Sequence, residues 1–318
     1  MKKGIRKAAG SVVFLAGLCA LLIFVSYLFL PKNNMAEFGM DEVTANGILG
    51  EKENSIDVLV VGDSESYSAI SPMEMWAQQG FTSYVCGTSG QYLYLSDTFL
   101  KRAFEKQQPK VVILETDAIY RDVTFGGSFM NRLENLFSVF RYHNRWKSIG
   151  PGELFSSVEY TWTDDYKGYS YNAAVDAGKN EEHMNPTDHV AEIKELNEEY
   201  VAGMAQFCKD NGAVFLLVST PSTVNWNYER HNGVQQLADK YGIPYIDLNL
   251  MKEEVPIDWT TDTRDKGDHL NHSGAVKVSA WLGKYLKEQY SLPDHRNDSA
   301  YAKWNEALDR YKKAVGQA

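Results

Sequence analysis

The 318-residue chain has only three cysteines, no acidic residue before Glu37 and no charged side chain at all from Ala8 to Leu30. Each scarcity excludes something. Cys19, Cys86 and Cys208 have no metal-binding spacing, and no cluster of His and Asp with ligand spacing occurs elsewhere, which argues against metal-dependent phosphoester chemistry. Cys19 follows Leu18 inside an apolar run, where a lipid-attachment site needs a small residue. Cys86 and Cys208 sit in apolar stretches, and both two buried thiols and one disulfide stay open. Internal repeats and low-complexity tracts are missing. With 44% hydrophobic residues, the chain is too apolar to be disordered.

The 23 uncharged residues from Ala8 to Leu30 match the roughly 20 that cross a bilayer as a helix. They run into Leu30-Pro31 with no small-x-small site, which predicts an uncleaved signal anchor. Lys2, Lys3, Arg6 and Lys7 precede the run, and a mixed region with Lys32, Glu37, Asp41 and Glu42 follows it. That asymmetry places the N-terminus in the cytoplasm and the body outside, at a cell membrane. The 287 residues after Pro31 carry 28 basic and 42 acidic side chains, a net −14, which phosphate backbones would repel. No nucleic-acid partner is expected.

Residues 32–54 are polar and contain Gly and Asn, and read as a tether or an edge segment. A body over 55–292 then alternates short apolar runs with helical patterns. Ile56–Val61, Ser83–Cys86, Val111–Leu114, Val214–Val218 and Tyr245–Leu248 read as five strands. Pro72–Gln79, Leu93–Lys106, Asp188–Asp210, Asn227–Lys240 and Ser273–Tyr290 read as helices. The order predicts an α/β fold, a three-layer α/β/α domain with a five-stranded, mainly parallel sheet behind an N-terminal transmembrane helix. Residues about 120–185, rich in aromatics, Gly and Asn, read as a lid inserted into it. Tyr301, Trp304, Leu308, Tyr311 and Val315 form the stripe of a C-terminal amphipathic helix over 293–318, which packs on the domain or docks a membrane partner.

In a parallel sheet, ligands sit outside the carboxyl ends of the strands. Ser64 stands there, after the first strand in Gly62-Asp63-Ser64, in position for a nucleophile whose own N–H helps to hold an oxyanion. His269 stands in the loop after the last strand, in Asp265-Lys266-Gly267-Asp268-His269-Leu270-Asn271, at the same end of the sheet. A neutral imidazole oriented by a carboxylate is what such a serine needs as its base.

Gly62-Asp63-Ser64 together with a late His269-Leu270-Asn271-x-x-Gly274-Ala275 resembles the SGNH/GDSL hydrolase superfamily. The likeness is to its membrane-anchored envelope branch, which includes relatives of the D-alanine-transfer protein of teichoic acid operons and polysaccharide O-acetyltransferases. It implies a three-layer α/β/α fold, Ser64 and His269 as catalytic residues, and an acid before the histidine. The superfamily's acid lies three residues earlier, where this chain has Lys266, so Asp265, four before, and the adjacent Asp268 both stand as partners, Asp265 preferred. The likeness also implies an oxyanion hole built by Ser64, a glycine after the second strand, Gly87 or preferably Gly90, and an asparagine after the third. Asp117 occupies the last position, and an ionised carboxylate cannot donate to an oxyanion. His143 and Arg145, in the cluster Arg141–Lys147, correspond to a segment of the envelope proteins that would contact substrate, or else pack and face solvent.

The resulting expectation is an extracytoplasmic serine esterase or acyltransferase that needs no cofactor or metal and acts on acyl esters of cell-envelope polysaccharide. Its partners would be that polysaccharide or an acyl donor, and a membrane-bound O-acyltransferase. The alternative is a non-catalytic protein of the same fold that binds glycan or such a membrane partner.

Overall fold

Strand β1 (Val58–Gly62) is buried along its whole length, as its run of Val-Leu-Val-Val requires. Full burial of each such side chain contributes about 1.5–3 kcal/mol. In this computed structural model, which describes residues 2–179 and 182–317, β1 lies between β2 (Ser83–Gly87) and β3 (Val111–Glu115). Strands β4 (Val214–Ser219) and β5 (Tyr245–Asp247) complete a wholly parallel sheet in the order β2-β1-β3-β4-β5. Val60 is paired with Val85 on one side and Ile113 on the other. A short antiparallel pair, β6 (Thr263–Arg264) and β7 (His269–Leu270), stands apart from it.

The helices, in chain order, are α1 (Lys2–Phe29), α2 (Val43–Asn46), α3 (Ser64–Ala69), α4 (Pro72–Gln79), α5 (Leu93–Phe104) and α6 (Phe125–Leu136). There follow α7 (Val139–Tyr142), α8 (Glu195–Asp210), α9 (Tyr228–Tyr241), α10 (His272–Tyr290) and α11 (Ala302–Ala314). Helices α3, α4 and α10 pack together on one face of the sheet, α5 and α8 on the other, and α9 lies against β5. This is the three-layer arrangement that the alternation of patterns predicts. The order 2-1-3-4-5 reverses direction at β1, so a crevice opens between the carboxyl ends of β1 and β3.

Two compact units form. One joins the residues up to Val43 with Phe125–Thr161, and the other joins Thr44–Thr124 with the residues from Trp162 onward. The sheet lies in the second. The expected insertion is thus divided. Its later part runs along the second unit, where the Lys167 carbonyl accepts from the Val85 amide, Ser170 N–H donates to Tyr67 O, and His272 N–H donates to Asn172 O. Gly168 is required there, because a Cβ would meet the Val85 carbonyl oxygen at 1.9 Å.

Other boundaries shift for identifiable reasons. The helix expected from Asp188 begins at Glu195, since the Ala191 amide pairs with the Glu229 carbonyl and holds the preceding residues extended. Residues 45–49, within the stretch read as a tether, are instead buried. Ile48 and Leu49 are buried, the Tyr84 hydroxyl donates to Thr44 O, and Arg102 donates to the Asn46 side chain. Cys86 and Cys208 are separate buried thiols, so the disulfide alternative falls. Helix α11 packs on α4 through Trp304 and Tyr311, whose hydroxyl donates to Glu74 Oε1 at 3.0 Å. Helix α1 holds an uncharged stretch of spanning length and apolarity, 6% buried. The side chains of Lys2, Lys3 and Arg6 lie outside the described residues.

Candidate active site

Asp63 and Ser64 leave β1 directly into the six-residue helix α3. Asp63 caps it, accepting the Glu65 amide through Oδ1 at 3.0 Å. Its other oxygen accepts from Arg121 Nε at 2.6 Å, so the aspartate that positions Ser64 also ties β1 to the loop after β3. Ser64 is buried apart from a small exposed fraction, and the Tyr67 phenol faces the hydroxyls of both Ser64 and Ser89. Burial pushes that phenol's pKa up. The contact draws the turn after β2, with Gly90, toward Ser64.

His269 lies on β7, which packs against α3. Its Nδ1 is 3.1 Å from Asp265 Oδ2 and 3.7 Å from Asp268 Oδ2, so Asp265 makes the shorter contact. Its Nε2 is buried and has no hydrogen-bond partner among the described residues. A carboxylate oxygen of Glu65, one of Asp268 and a ring nitrogen of His269 lie within 4.8 Å of one another. This cluster brings the loop after the last strand against the residue next to Ser64.

The cluster has three donor atoms of two types, carboxylate and imidazole, that could hold a cation, and an amide already bridges them. Asn225 Nδ2 bridges it, donating to Glu65 Oε1 at 2.8 Å and to Asp268 Oδ1. Burial, then the charge of Glu115, raises the Glu65 pKa far above the carboxylate range. The Asn225 amide bonded to both carboxylates makes the cluster a hydrogen-bonding strut between the Ser64 turn and the histidine loop.

The loop that carries the histidine is held by its backbone. Thr223 N–H donates to Gly267 O at 2.9 Å, and Ser222 Oγ donates to Asp268 O at 2.7 Å. Asp265, Lys266 and Gly267 have φ of +57°, +61° and +94°, three successive left-handed residues that turn Asp265 back toward the ring.

Asp117 does not serve as an oxyanion donor. Its Oδ1 accepts from Arg230 at 2.7 Å and its Oδ2 from Arg121 at 3.3 Å, so both oxygens act as acceptors. Burial, then the neighbouring charge of Asp63, pushes its pKa up to about 7, against the pull of the two arginines. The cation at this place is Arg121. Its Nη1 lies 3.8 Å from where a Cβ on Gly90 would stand, so it sits beside the turn assigned to the oxyanion hole. Behind it, burial, then the charges of Asp63 and Asp117, push the Glu115 pKa well above the ordinary carboxylate range.

His143 and Arg145 lie in the other unit. Arg145 is 6% exposed, and its guanidinium donates to the Phe29 carbonyl and to Glu153, a packing role rather than the substrate contact expected. His143 is exposed, with Nδ1 against the Phe140 carbonyl. Sequence reading missed Arg121, Arg230, Glu65, Asn225 and Tyr67. The only available signal was the spacing of Asp117 and Arg121, four residues apart after a strand.

No family model and no curated protein matches the chain. Among solved structures, it aligns with a lipase/acylhydrolase from Enterococcus faecalis at 13% identity, covering 75% of this chain and 98% of that one, TM-score 0.40. A GDSL-like lipase from Bacteroides thetaiotaomicron aligns at 12% identity over 73% of this chain and 88% of its own, TM-score 0.36. The psychrotrophic esterase EstA from a Pseudoalteromonas species aligns at 9% identity over 74% and 98%, TM-score 0.39. At these values the likeness carries no functional argument, which has to come from the side chains.

Proposed function

We propose that this chain is a membrane-anchored serine esterase or acyltransferase whose catalytic body faces the outside of the cell and acts on acyl esters of envelope polysaccharide. The observation that carries the chemistry is the state of His269. One ring nitrogen is paired with Asp265, while the other is buried and unpaired among the described residues, on a strand packed against the helix that begins at Ser64. Such an imidazole is poised to accept a proton.

Ser64 Oγ attacks the acyl carbonyl and its proton passes to His269 Nε2, with Asp265 holding the Nδ1–H. The tetrahedral oxyanion forms against the Ser64 and Gly90 amides, with the Arg121 guanidinium adjacent. Its collapse returns the proton to the leaving alcohol and leaves an acyl-serine. Water then completes hydrolysis, or a polysaccharide hydroxyl completes transfer, with His269 again taking the proton. The span, the orientation and the envelope substrate rest on the apolar run of α1, the basic residues before it and the resemblance carried by the two motifs.

A fluorophosphonate probe tests the common first step. The full chain should be labelled, and Ser64→Ala and His269→Ala should abolish labelling while leaving the melting temperature in place. Labelling that survives Ser64→Ala, or a folded protein that is never labelled, overturns the catalytic reading in favour of a binding protein. Analysis of envelope acyl esters in a Ser64→Ala strain then tests the substrate class.

A further inference from the structure

Helix α6 in the first unit is inside out. The residues it buries are Ser128 and Asn131, while Phe125 is 80% exposed and Phe129, Met130 and Leu136 are also exposed. At 100° per residue, Phe125, Phe129, Arg132 and Leu136 fall within a wedge of about 60°. The Phe125 and Phe129 rings stack at 6.4 Å on that face. Trp146 and Phe155, in the same unit, are 65% and 70% exposed, with Lys147 beside the Trp146 ring. Soluble surfaces rarely gather large apolar side chains over buried polar ones.

The end of α1 says what covers this face. Ser138 Oγ donates to the Ser26 carbonyl, the Val139 amide donates to Ser26 Oγ, and the Tyr27 hydroxyl donates to the Ser156 carbonyl. Arg145 donates to the Phe29 carbonyl, and the Lys32 ammonium sits 3.8 Å from the Tyr27 ring centroid while bonding the Tyr27 carbonyl. The apolar span ends at these residues. A bilayer crossed by α1 therefore has its surface within hydrogen-bonding distance of residues 138, 139, 145 and 156. Tyr, Trp and Lys at such a level are the groups that bilayer interfaces favour.

We infer that the first unit is a membrane-interface module. The α6 face of Phe125, Phe129, Arg132 and Leu136, with Trp146 and Phe155, lies in the headgroup and upper acyl region of the outer leaflet, beside α1. Its occupant is lipid. The aromatic and aliphatic side chains enter the acyl boundary, and Arg132 and Lys147 extend their charges to the headgroups. This gives the unit a use that substrate contact by Arg145 does not supply. It rests on the proposed reading of α1 as a span and is independent of Ser64 chemistry.

Spin-label accessibility in vesicles of phosphatidylcholine and phosphatidylglycerol tests it on the full chain. Cys86 and Cys208 are buried, so wild type takes the label at Cys19 in α1, and Phe129→Cys, Leu136→Cys and Lys209→Cys are made on a Cys19→Ser background. Lys209, exposed on α8 in the second unit, is the aqueous control. Labels at 129 and 136 should collide with oxygen in preference to a water-soluble nickel complex, with a ratio several-fold above that at 209. Ratios at 129 and 136 equal to that at 209, with Cys19 still in lipid, overturn the inference and leave the span intact. A water-accessible Cys19 overturns the span itself. Spectral broadening at 129 that unlabelled protein dilutes away assigns the face to a second copy and also overturns the inference.

Discussion

Gly267 is the residue on which the geometry around His269 most depends. Its φ of +94° is a conformation that an L side chain strains to adopt, at about 1–3 kcal/mol. A Cβ there would also stand 2.1 Å from Thr223 Oγ1, well inside any real contact. Thr223 cannot simply swing away, because its amide is the donor to the Gly267 carbonyl at 2.9 Å and its hydroxyl reaches the same oxygen at 3.3 Å. Relief of such overpacking typically costs another 1–3 kcal/mol. Gly267→Ala should therefore destabilise the domain by about 2–6 kcal/mol, or shift the loop by a comparable local free energy. Either way the Asp265–His269 contact is lost, and fluorophosphonate labelling should slow by about tenfold to a hundredfold. Thermal unfolding and labelling rate are measured on the single variant, on Thr223→Ala, and on the double variant. Removal of Oγ1 takes away the clash but not the strain, so the double variant should recover about half of the lost stability and part of the rate. A Gly267→Ala protein with unchanged melting temperature and labelling rate refutes the reasoning, as does a double variant no better than the single.

Three further outcomes are expected. Asp265→Asn should lower kcat/KM for a small ester by about tenfold to a hundredfold, below the ten-thousandfold of a fully buried triad because Asp265 is half exposed, and Asp268→Asn should lower it less. Asp117, with its pKa pushed up to about 7, is about one-eleventh protonated at pH 8. Its ionised form places a negative charge near the oxyanion, so Asp117→Asn should be up to about tenfold more active than wild type at pH 8 and equal to it at pH 6, read from the two pH–rate profiles. Burial raises the pKa of Glu65, Glu115 and Asp117 above their unfolded values, so the native state holds more protons than the unfolded chain from about pH 4 upward. Stability should then fall as pH rises from about 4 to 7, and Glu65→Gln, whose amide needs no proton, should flatten that slope in urea titrations without loss of stability at pH 7.

β1, β3 and β4 were legible because a strand buried on both faces must be a short run rich in aliphatic residues, and the Ser83–Cys86 and Tyr245–Leu248 runs were legible as short, mainly apolar segments between helical patterns. The starts of α4 and α9 fall within a residue of the expected ones, since Ser71 and Asn227 each cap the helix by accepting a backbone amide locally, Glu74 and Arg230 respectively. Residues 44–54 were not legible. Asn46, Gly47 and Gly50 look like solvent-facing linker, and contacts with residues far away in sequence, Arg102, Tyr84, Lys106 and Trp162 among them, pack this stretch against the body. The same limit hid Glu65, Asn225, Arg121 and Arg230. A buried or half-buried charged or amide side chain is tolerated only when paired, and its partners lie mostly on other elements, so apart from the Asp117–Arg121 spacing its neighbourhood along the chain does not distinguish it from a surface residue. Ser64 and His269 were visible for the opposite reason, because their local motifs are constrained by the turns that carry them.

The spacing of the acid is where motif and geometry meet. With Lys266 three residues before His269, a loop of ordinary conformation would aim a lysine at the ring. Asp265, Lys266 and Gly267 instead take three consecutive left-handed conformations, which absorb one extra residue and bring Asp265 Oδ2 to His269 Nδ1. Two of the three are not glycine, so the arrangement is strained and must be held from outside. Thr223 N–H on the Gly267 carbonyl and Ser222 Oγ on the Asp268 carbonyl do that, both from the loop after β4. Asn225, in that same loop, then joins Asp268 to Glu65, the residue after Ser64. The shift of one residue in the motif thus has a structural counterpart in Ser222, Thr223 and Asn225, and the loop after β4 becomes the element that fixes the distance between the two ends of the site.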